Sequence, residues 1–577
     1  MTRWVGFIGC AVFGLALLFC GLQVPAHLRA VDVIVLQRAG RGFPSLIEGG
    51  FSLVQKNQLG AAQLFVAAAL SAGIADSDKL DETVDDLATR QPALRISGSA
   101  ENGSLGALRG ADPGTPETNA SQTTLRAEPF TEFAIRSDNR AKTLELLQTS
   151  ASPLVQALRH FRSLTNTVLF PPSSSASGQA LDAAVSICGL LTEAAHLSVG
   201  LSNAVLVLVT DANRAGNPEP LEQVLMDLMS LGQRFNWGQL AAFVEQLNDA
   251  ETLRVLSNLV RRGEGMPVLY SAVCLTGNAA GVAKYLTNFS ETGLNDLRWS
   301  LGYGAGGVNK LLQSNQRLCN SRFCERVAAL ASYGKISTFA LDYSRSEPLL
   351  ALAGKWLLYL LGGFFVAAAF HFARRVTALE QPLEVRGFHL AREFLFALGF
   401  LVVVLLLSEP FLSQGSQKVG FPFRLRLPTV GGAAPAGNTG ARTTIMNQLS
   451  LLTMLLFFVL QALLYVASLV KLAEIRRQRV ASRMKLKLLE NEDHLFDSGL
   501  YLGFLGTIIS LILVSLGVFK QPSLMAAYSS TSFGILFVVL FKVVHLRPAR
   551  RHLLLEAETE SPMRIAPPVA STLAAPL

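Results

Sequence analysis

Six apolar runs of about 20 residues constrain this chain more than any other feature: 4–24, 349–370, 393–410, 449–470, 499–518 and 524–545. At 1.5 Å per residue, a helix of that length crosses a hydrocarbon core of ~30 Å. The backbone polar groups of such a segment must be satisfied internally, so helices follow. Only 16% of the 577 residues are charged and 50% are hydrophobic, against the roughly 25% charged usual for soluble domains. The reading is an all-α polytopic membrane protein with about six transmembrane helices and a large extracytoplasmic helical, solenoid-like domain.

The first run follows Arg3, is longer than a signal-peptide core, and is followed by PAHLRAVD, which offers no A-x-A site. Residues 1–24 therefore read as an N-terminal anchor rather than a cleaved signal. Phe19 stands before Cys20 where a lipobox needs a small residue. Residues 25–95 carry apolar residues at three- and four-residue spacing with turns between, a helical hairpin region. Residues 96–128 are rich in Gly, Ser, Thr, Asn and Ala and read as a flexible linker.

Helical patterning returns over 129–348. The stretch from Phe243 resembles the stretch from Tyr285, a spacing of about 41 residues that suits a two-helix repeat; an ordinary helical bundle is the alternative. Residues 349–410 hold spans 2 and 3. Lys355 and Glu409 sit near the span ends, where snorkelling to the interface is expected. Residues 411–446 form a Gly/Pro/Ala-rich external loop, 447–545 hold spans 4–6, and 546–577 form a disordered cytoplasmic tail.

The net charge of +8 is uneven. Lys471, Arg476, Arg477, Arg479, Arg483, Lys485 and Lys487 follow the fourth span, and Arg547, Arg550 and Arg551 follow the sixth. The positive-inside rule puts both clusters and both termini in the cytoplasm, and the large domain outside, in the periplasm of a bacterial inner-membrane protein. Lys418, Arg424, Arg426 and Arg442 in the external loop run against that rule. No basic patch interleaved with aromatics points to nucleic acid.

Catalytic motifs are scarce, and the chain reads as no enzyme, with no cofactor and no metal. Gly302, Gly304, Gly306 and Gly307 lack a following Gly-Lys-Ser/Thr, so a turn between helices outweighs a phosphate cradle. His160, His196, His371 and His389 show no metal-ligand spacing. Cys319 and Cys324 are close enough in sequence to form a disulfide outside the cytoplasm; buried thiols are the alternative.

The last pair of runs carries the sharper signal. Thr507 and Ser510 share one helix face, and Ala527, Thr531 and Gly534 share another. Small-xxx-small spacing, with Gly503 and Gly506, lets backbones approach closely. Neither run contains an acid. The segments Gly503-Phe504-Leu505-Gly506-Thr507-Ile508 and Ala527-Tyr528-Ser529-Ser530-Thr531-Ser532-Phe533-Gly534-Ile535 resemble the paired spans of the MotA/TolQ/ExbB proton-channel family. The chain departs from that family in its short 471–498 segment and in lacking a Pro in the last span. The resemblance implies a ring of subunits around a single-span partner protein that supplies a membrane Asp. Thr507, Ser510, Thr531 and Gly534 would line the channel, with Gly503, Gly506 and Ala527 packing it. Membrane lipid and extracytoplasmic proteins are the other expected partners, in an oligomer coupled to proton motive force. The competing reading is a non-catalytic membrane scaffold whose external domain binds proteins.

Overall fold

The computed structural model describes residues 2–92, 94, 129–135, 137–163, 168–170, 179–263, 265–319, 334–377, 388–409, 411, 448–515 and 524–559. The linker 96–128, Cys324, nearly all of the loop 411–446 and the last 18 residues lie outside them. The chain divides into two compact units, one of residues 30–330 with 334–346, the other of residues 1–29, 331–333 and 347–577.

The second unit opens with α1 (Thr2–Gln23), described further below. The first unit begins with β1 (Ala30–Asp32), then α2 (Val33–Gly40), α3 (Leu46–Gln55), α4 (Leu59–Ala72) and α5 (Ser77–Arg90). It continues with α6 (Phe130–Ile135), α7 (Ser137–Gln148), α8 (Pro153–Ser163), α9 (Gln179–Glu193), α10 (Val199–Ala215) and α11 (Glu219–Gly232). Then come α12 (Trp237–Val244), α13 (Ala250–Arg262), α14 (Met266–Thr276), α15 (Ala279–Asn288), α16 (Gly293–Leu301), α17 (Gly304–Ser314), β2 (Arg317–Cys319) and α18 (Gly334–Ser346).

Local sequence explains these helices. In α13 the Asp249 side chain accepts from the Thr252 N–H at 2.7 Å, and Gly263 closes the helix in the left-handed region. Leu253, Leu256 and Val260 are buried at three- and four-residue spacing, while Arg261 and Arg262 face the dipole's negative end. In α3, Ser45 and Glu48 form a capping box.

The two helical stretches expected as separate regions share one core. Val35, Leu36, Phe65 and Ala68 belong to the same buried cluster as Phe161, Phe235, Phe243, Tyr270 and Leu311. Distant chain ends close it: β1 pairs in parallel with β2, Val31 opposite Leu318. The buried Asp296 accepts from Tyr285 Oη at 2.8 Å and from the Leu318 N–H at 3.3 Å. The glycine run at 302–307 spans the turn after α16 (residues 302–303) and the first turn of α17, with Gly304 at φ +69°. Gly40 fits directly under the Tyr303 carbonyl, and Gly306 under that of Ala39. The two stretches that resemble each other in sequence both run from the end of one helix through a turn into a second, and differ in where that second helix stops. Phe243–Gly265 leads from the end of α12 into α13, which Gly263 closes, whereas Tyr285–Gly307 leads from the end of α15 into the shorter α16, which stops at Leu301 before α17 opens at Gly304. Cys319 is buried in β2.

The other unit adds α19 (Pro348–Thr377), α20 (Phe388–Ser408), α21 (Gln448–Arg477), α22 (Ser482–Asn491), α23 (Asp493–Phe496), α24 (Ser498–Ser515) and α25 (Leu524–Phe541). A π turn (Lys542–Leu546) leads into α26 (Arg547–Thr559). Five segments of the described helices are long and apolar enough to cross a membrane: Trp4–Gln23, Pro348–Ala373, Leu390–Ser408, Leu451–Arg477 and Tyr528–Thr559. The expected remaining span is the apolar α24, described in full over the shorter range Ser498–Ile512. This architecture fits an all-α membrane protein. Residues 547–559, expected within the disordered tail, are helical. Arg550 pairs with Asp493 at 3.0 Å, and Ala549 joins a buried cluster with Leu472, Phe496 and Phe541.

The long helices meet at glycines. Antiparallel α1 and α19 cross where Gly14 faces Gly362, and Gly21 lies against Tyr359; Gly363 lies against Ala397 and Phe400 of α20. Lys355 and Glu409 do not snorkel: they are 2% and 6% exposed. Lys355 Nζ donates to the Ala26 carbonyl at 2.7 Å, and Glu409 Oε2 accepts from the Leu28 N–H at 2.8 Å. Lys355 and one oxygen of Glu409 are thus served by the chain that leaves α1, while Glu409 Oε1 is buried without a hydrogen-bond partner. At the opposite end of the α19–α20 pair, Glu393 lies 4.0 Å from His371 and from Arg392. Each helix places its two polar groups sixteen residues apart. That is about 24 Å, and it brackets an apolar slab of nearly hydrocarbon thickness.

This packing makes α1 a structural member of the bundle. Intact-mass measurement of the membrane-extracted chain should therefore include residues 1–24. Deletion of 1–24 should lower thermal stability sharply, because it bares the glycine face of α19 and frees the segment that partners Lys355 and Glu409. A mature chain beginning after residue 24 would contradict this role.

Candidate functional site

The α24–α25 crossing is the polar focus of the C-terminal bundle. These helices run antiparallel, and glycine sets their separation. A Cβ on Gly503 would lie 2.8 Å from the Ser530 carbonyl, and one on Gly534 would lie 2.7 Å from the Gly499 carbonyl. Gly506 sits directly against the Ser530 hydroxyl. Backbones this close let short side chains bond across the interface. Thr507 Oγ1 and Thr531 Oγ1 are 2.6 Å apart. Each also lies 3.2 Å from the Gly503 carbonyl, so one hydroxyl donates to that oxygen while the other donates to its partner.

The expected residues are only partly gathered. Gly503, Gly506, Thr507, Thr531 and Gly534 meet at this crossing. Ser510 lies one turn beyond and donates to its own helix, to the Gly506 carbonyl at 2.7 Å. Ala527 lies in α25, with its side-chain surroundings outside the described part. Within this chain, the threonine hydroxyls face each other and not an open file. Ser529 and Ser530 are also buried. The opposite faces expose Phe504, Leu505, Ile509, Ile512, Leu536 and Val539.

A third helix completes the site with residues that the sequence reading passed over. α21 turns Phe458, Gln461 and Tyr465 toward α24 and α25, at spacings of three and four. Gln461 is 1% exposed. Its Nε2 donates to the Gly499 carbonyl at 3.0 Å, and its Oε1 has no hydrogen-bond partner. Tyr465 Oη lies 2.9 Å from Nε2 of His545, in the π turn that ends α25. Such turns are frequent at functional sites because the extra residue re-aims a side chain. A buried amide inside an apolar run, in step with Phe458 and Tyr465, was the available sequence signal.

The arrangement is a seam of hydroxyl, amide, phenol and imidazole groups within apolar helices. Hydroxyls and imidazole both accept and donate, so the seam has the chemistry to pass a proton. It contains no carboxylate, and no group of three metal-ligating residues occurs among the described residues.

A double-mutant cycle measures the central contact. Thr507→Val and Thr531→Val should show a coupling of about 0.6–1.7 kcal/mol in unfolding of the full chain in detergent. Additive effects would mean that the hydroxyls do not meet. No family model, curated protein or solved structure matches this chain.

Proposed function

We propose that the chain is a membrane subunit of an energy-transducing complex coupled to proton motive force, built like the MotA/TolQ/ExbB channels. The observation that carries this reading is the Thr507–Thr531 pair on a glycine-packed crossing without any acid. A relay of hydroxyls needs a titratable group to load it. In this reading a single-span partner supplies that group as a membrane Asp, and the subunits form a ring around the partner's helix. The chain has six spans, α24 among them, with both termini cytoplasmic. The unit from Ala30 to Ser346 lies in the periplasm and binds envelope proteins. The basic residues after α21 and at the start of α26 support that orientation.

A second reading, a non-catalytic membrane scaffold, is favoured by one specific observation. The two threonine hydroxyls satisfy each other and the Gly503 carbonyl, which is the pattern of a helix-packing contact. The scaffold presents the same periplasmic unit to protein partners and moves no protons.

Proton flux separates the two. The full chain, co-purified with its single-span partner and reconstituted in vesicles under a proton gradient, should conduct. Thr531→Val should reduce flux at least about tenfold, and Thr531→Ser should retain it, because the hydroxyl and not the methyl does the work. Unchanged flux in Thr531→Val would sink the channel reading. Failure to recover any single-span partner would favour the scaffold.

A further inference from the structure

The first unit carries a half-open cleft of about 700 Å³ between α2, α17 and α18. The charges that line it (Lys310, Asp342 and Arg345) and those beside it (Arg38 and Arg41) do not balance. Arg38 is occupied by Asp342, with Nε and Nη2 donating to the two carboxylate oxygens at 2.7 and 2.9 Å. Arg41 and Arg345 also act on Asp342, so a single acid serves three arginines. Lys310 adds a fourth cation. Its Nζ donates to the Arg345 carbonyl at 2.7 Å, and no described carboxylate lies within ion-pair distance of it. Burial, and then the neighbouring Arg345, push the Lys310 ammonium below its ordinary range. A half-desolvated cation beside another cation is relieved by an anion.

The rim is aromatic and uncovered. Phe339 and Tyr343 stack with centroids 6.0 Å apart and planes 9° apart. They are 71% and 38% exposed, and Phe43 across the cleft is 51% exposed. Only Glu347 separates Ser346, at the end of α18, from Pro348, the first residue of a membrane-length helix. Arg345 is thus tethered within about 11 Å of that helix's first residue. Aromatic side chains and cations within a few residues of a span in the sequence are the chemistry of the lipid headgroup layer.

We propose that this cleft binds the phosphate of an anionic phospholipid headgroup, with Lys310 and Arg345 on the phosphate and Phe339 and Tyr343 seated in the interfacial layer. The assignment does not rest on the channel reading.

Binding of fluorescent phosphatidylglycerol and phosphatidylcholine to the full chain in detergent tests it. At about fivefold per cation, phosphatidylglycerol should bind roughly 25-fold more tightly. Lys310→Gln and Arg345→Gln should each remove about fivefold of that preference. Phe339→Ala should weaken both lipids, and inorganic phosphate should not displace the lipid. Equal binding of the two lipids, or a preference unmoved by both substitutions, would overturn the proposal. Displacement by inorganic phosphate would overturn the lipid assignment in favour of a soluble anion. Arg345 is exposed, so its variant reports even where Lys310→Gln does not fold.

Discussion

Close backbone contact at glycine is the constraint on which the membrane unit depends. Lipid tails are as apolar as leucine, so burying a leucine between two membrane helices gains little. What remains is dispersion at short range and hydrogen bonding across the gap. Gly14 against Gly362, Gly363 against Ala397, and Gly503 against Gly534 supply the first. The same separation allows the second, because a threonine hydroxyl reaches only a short distance. Thr507 and Thr531 meet at 2.6 Å because Gly503 and Gly534 carry no side chain.

Buried charge in the described α1–α19–α20 bundle is met in two ways, by chain just outside the helices or by residues of the helices themselves, and one oxygen each of Glu393 and Glu409 is left without a hydrogen-bond partner. Lys355 and Glu409 take their partners from residues 26–28, and Glu393 faces His371 and Arg392 one helix length away. The cost of burying charge is several kcal/mol per ion, and it is offset only by good hydrogen bonds. Here those bonds also fix the exit of α1 relative to α19 and α20. Charge thus contributes register, while glycine contributes proximity.

Much of this was legible in the sequence because it follows from local pattern. Apolar run length gives the long helices, and glycine spacing gives the α24–α25 contact. What was not legible depends on long-range geometry. Snorkelling is the sound expectation for a lone Lys355 near a helix end, since nothing local reveals that Ala26, 329 residues away, waits as an acceptor. The common core of 30–94 and 129–319 is hidden in the same way, because each stretch alone has a complete amphipathic pattern. The 243 and 285 stretches share apolar periodicity, but caps decide where helices stop. Asp249 and Gly263 bound one helix, while Thr292 makes no side-chain cap and Gly302 breaks the other. Residues 547–559 were obscured by charge. Their Leu and Ala positions pack only once α22 is beside them.

In the α21–α24–α25 seam, the groups that pack the helices are also the kind that a proton relay would need. A hydroxyl pair that is fully satisfied within one chain holds two helices together and moves nothing. To pass a proton, each hydroxyl must exchange donor and acceptor roles, which requires a neighbour able to take or give one. Gln461 Oε1 is buried without a partner, and a buried acceptor left unmet costs about 1–3 kcal/mol. Among the described residues of the seam, it marks a place where a water or a partner's group would lower the energy. Tyr465 and His545 mark the seam's titratable end. A helix-packing contact explains the threonines, but it leaves the Gln461 oxygen unexplained. That imbalance is a physical ground for the proposal that the seam admits a further polar group.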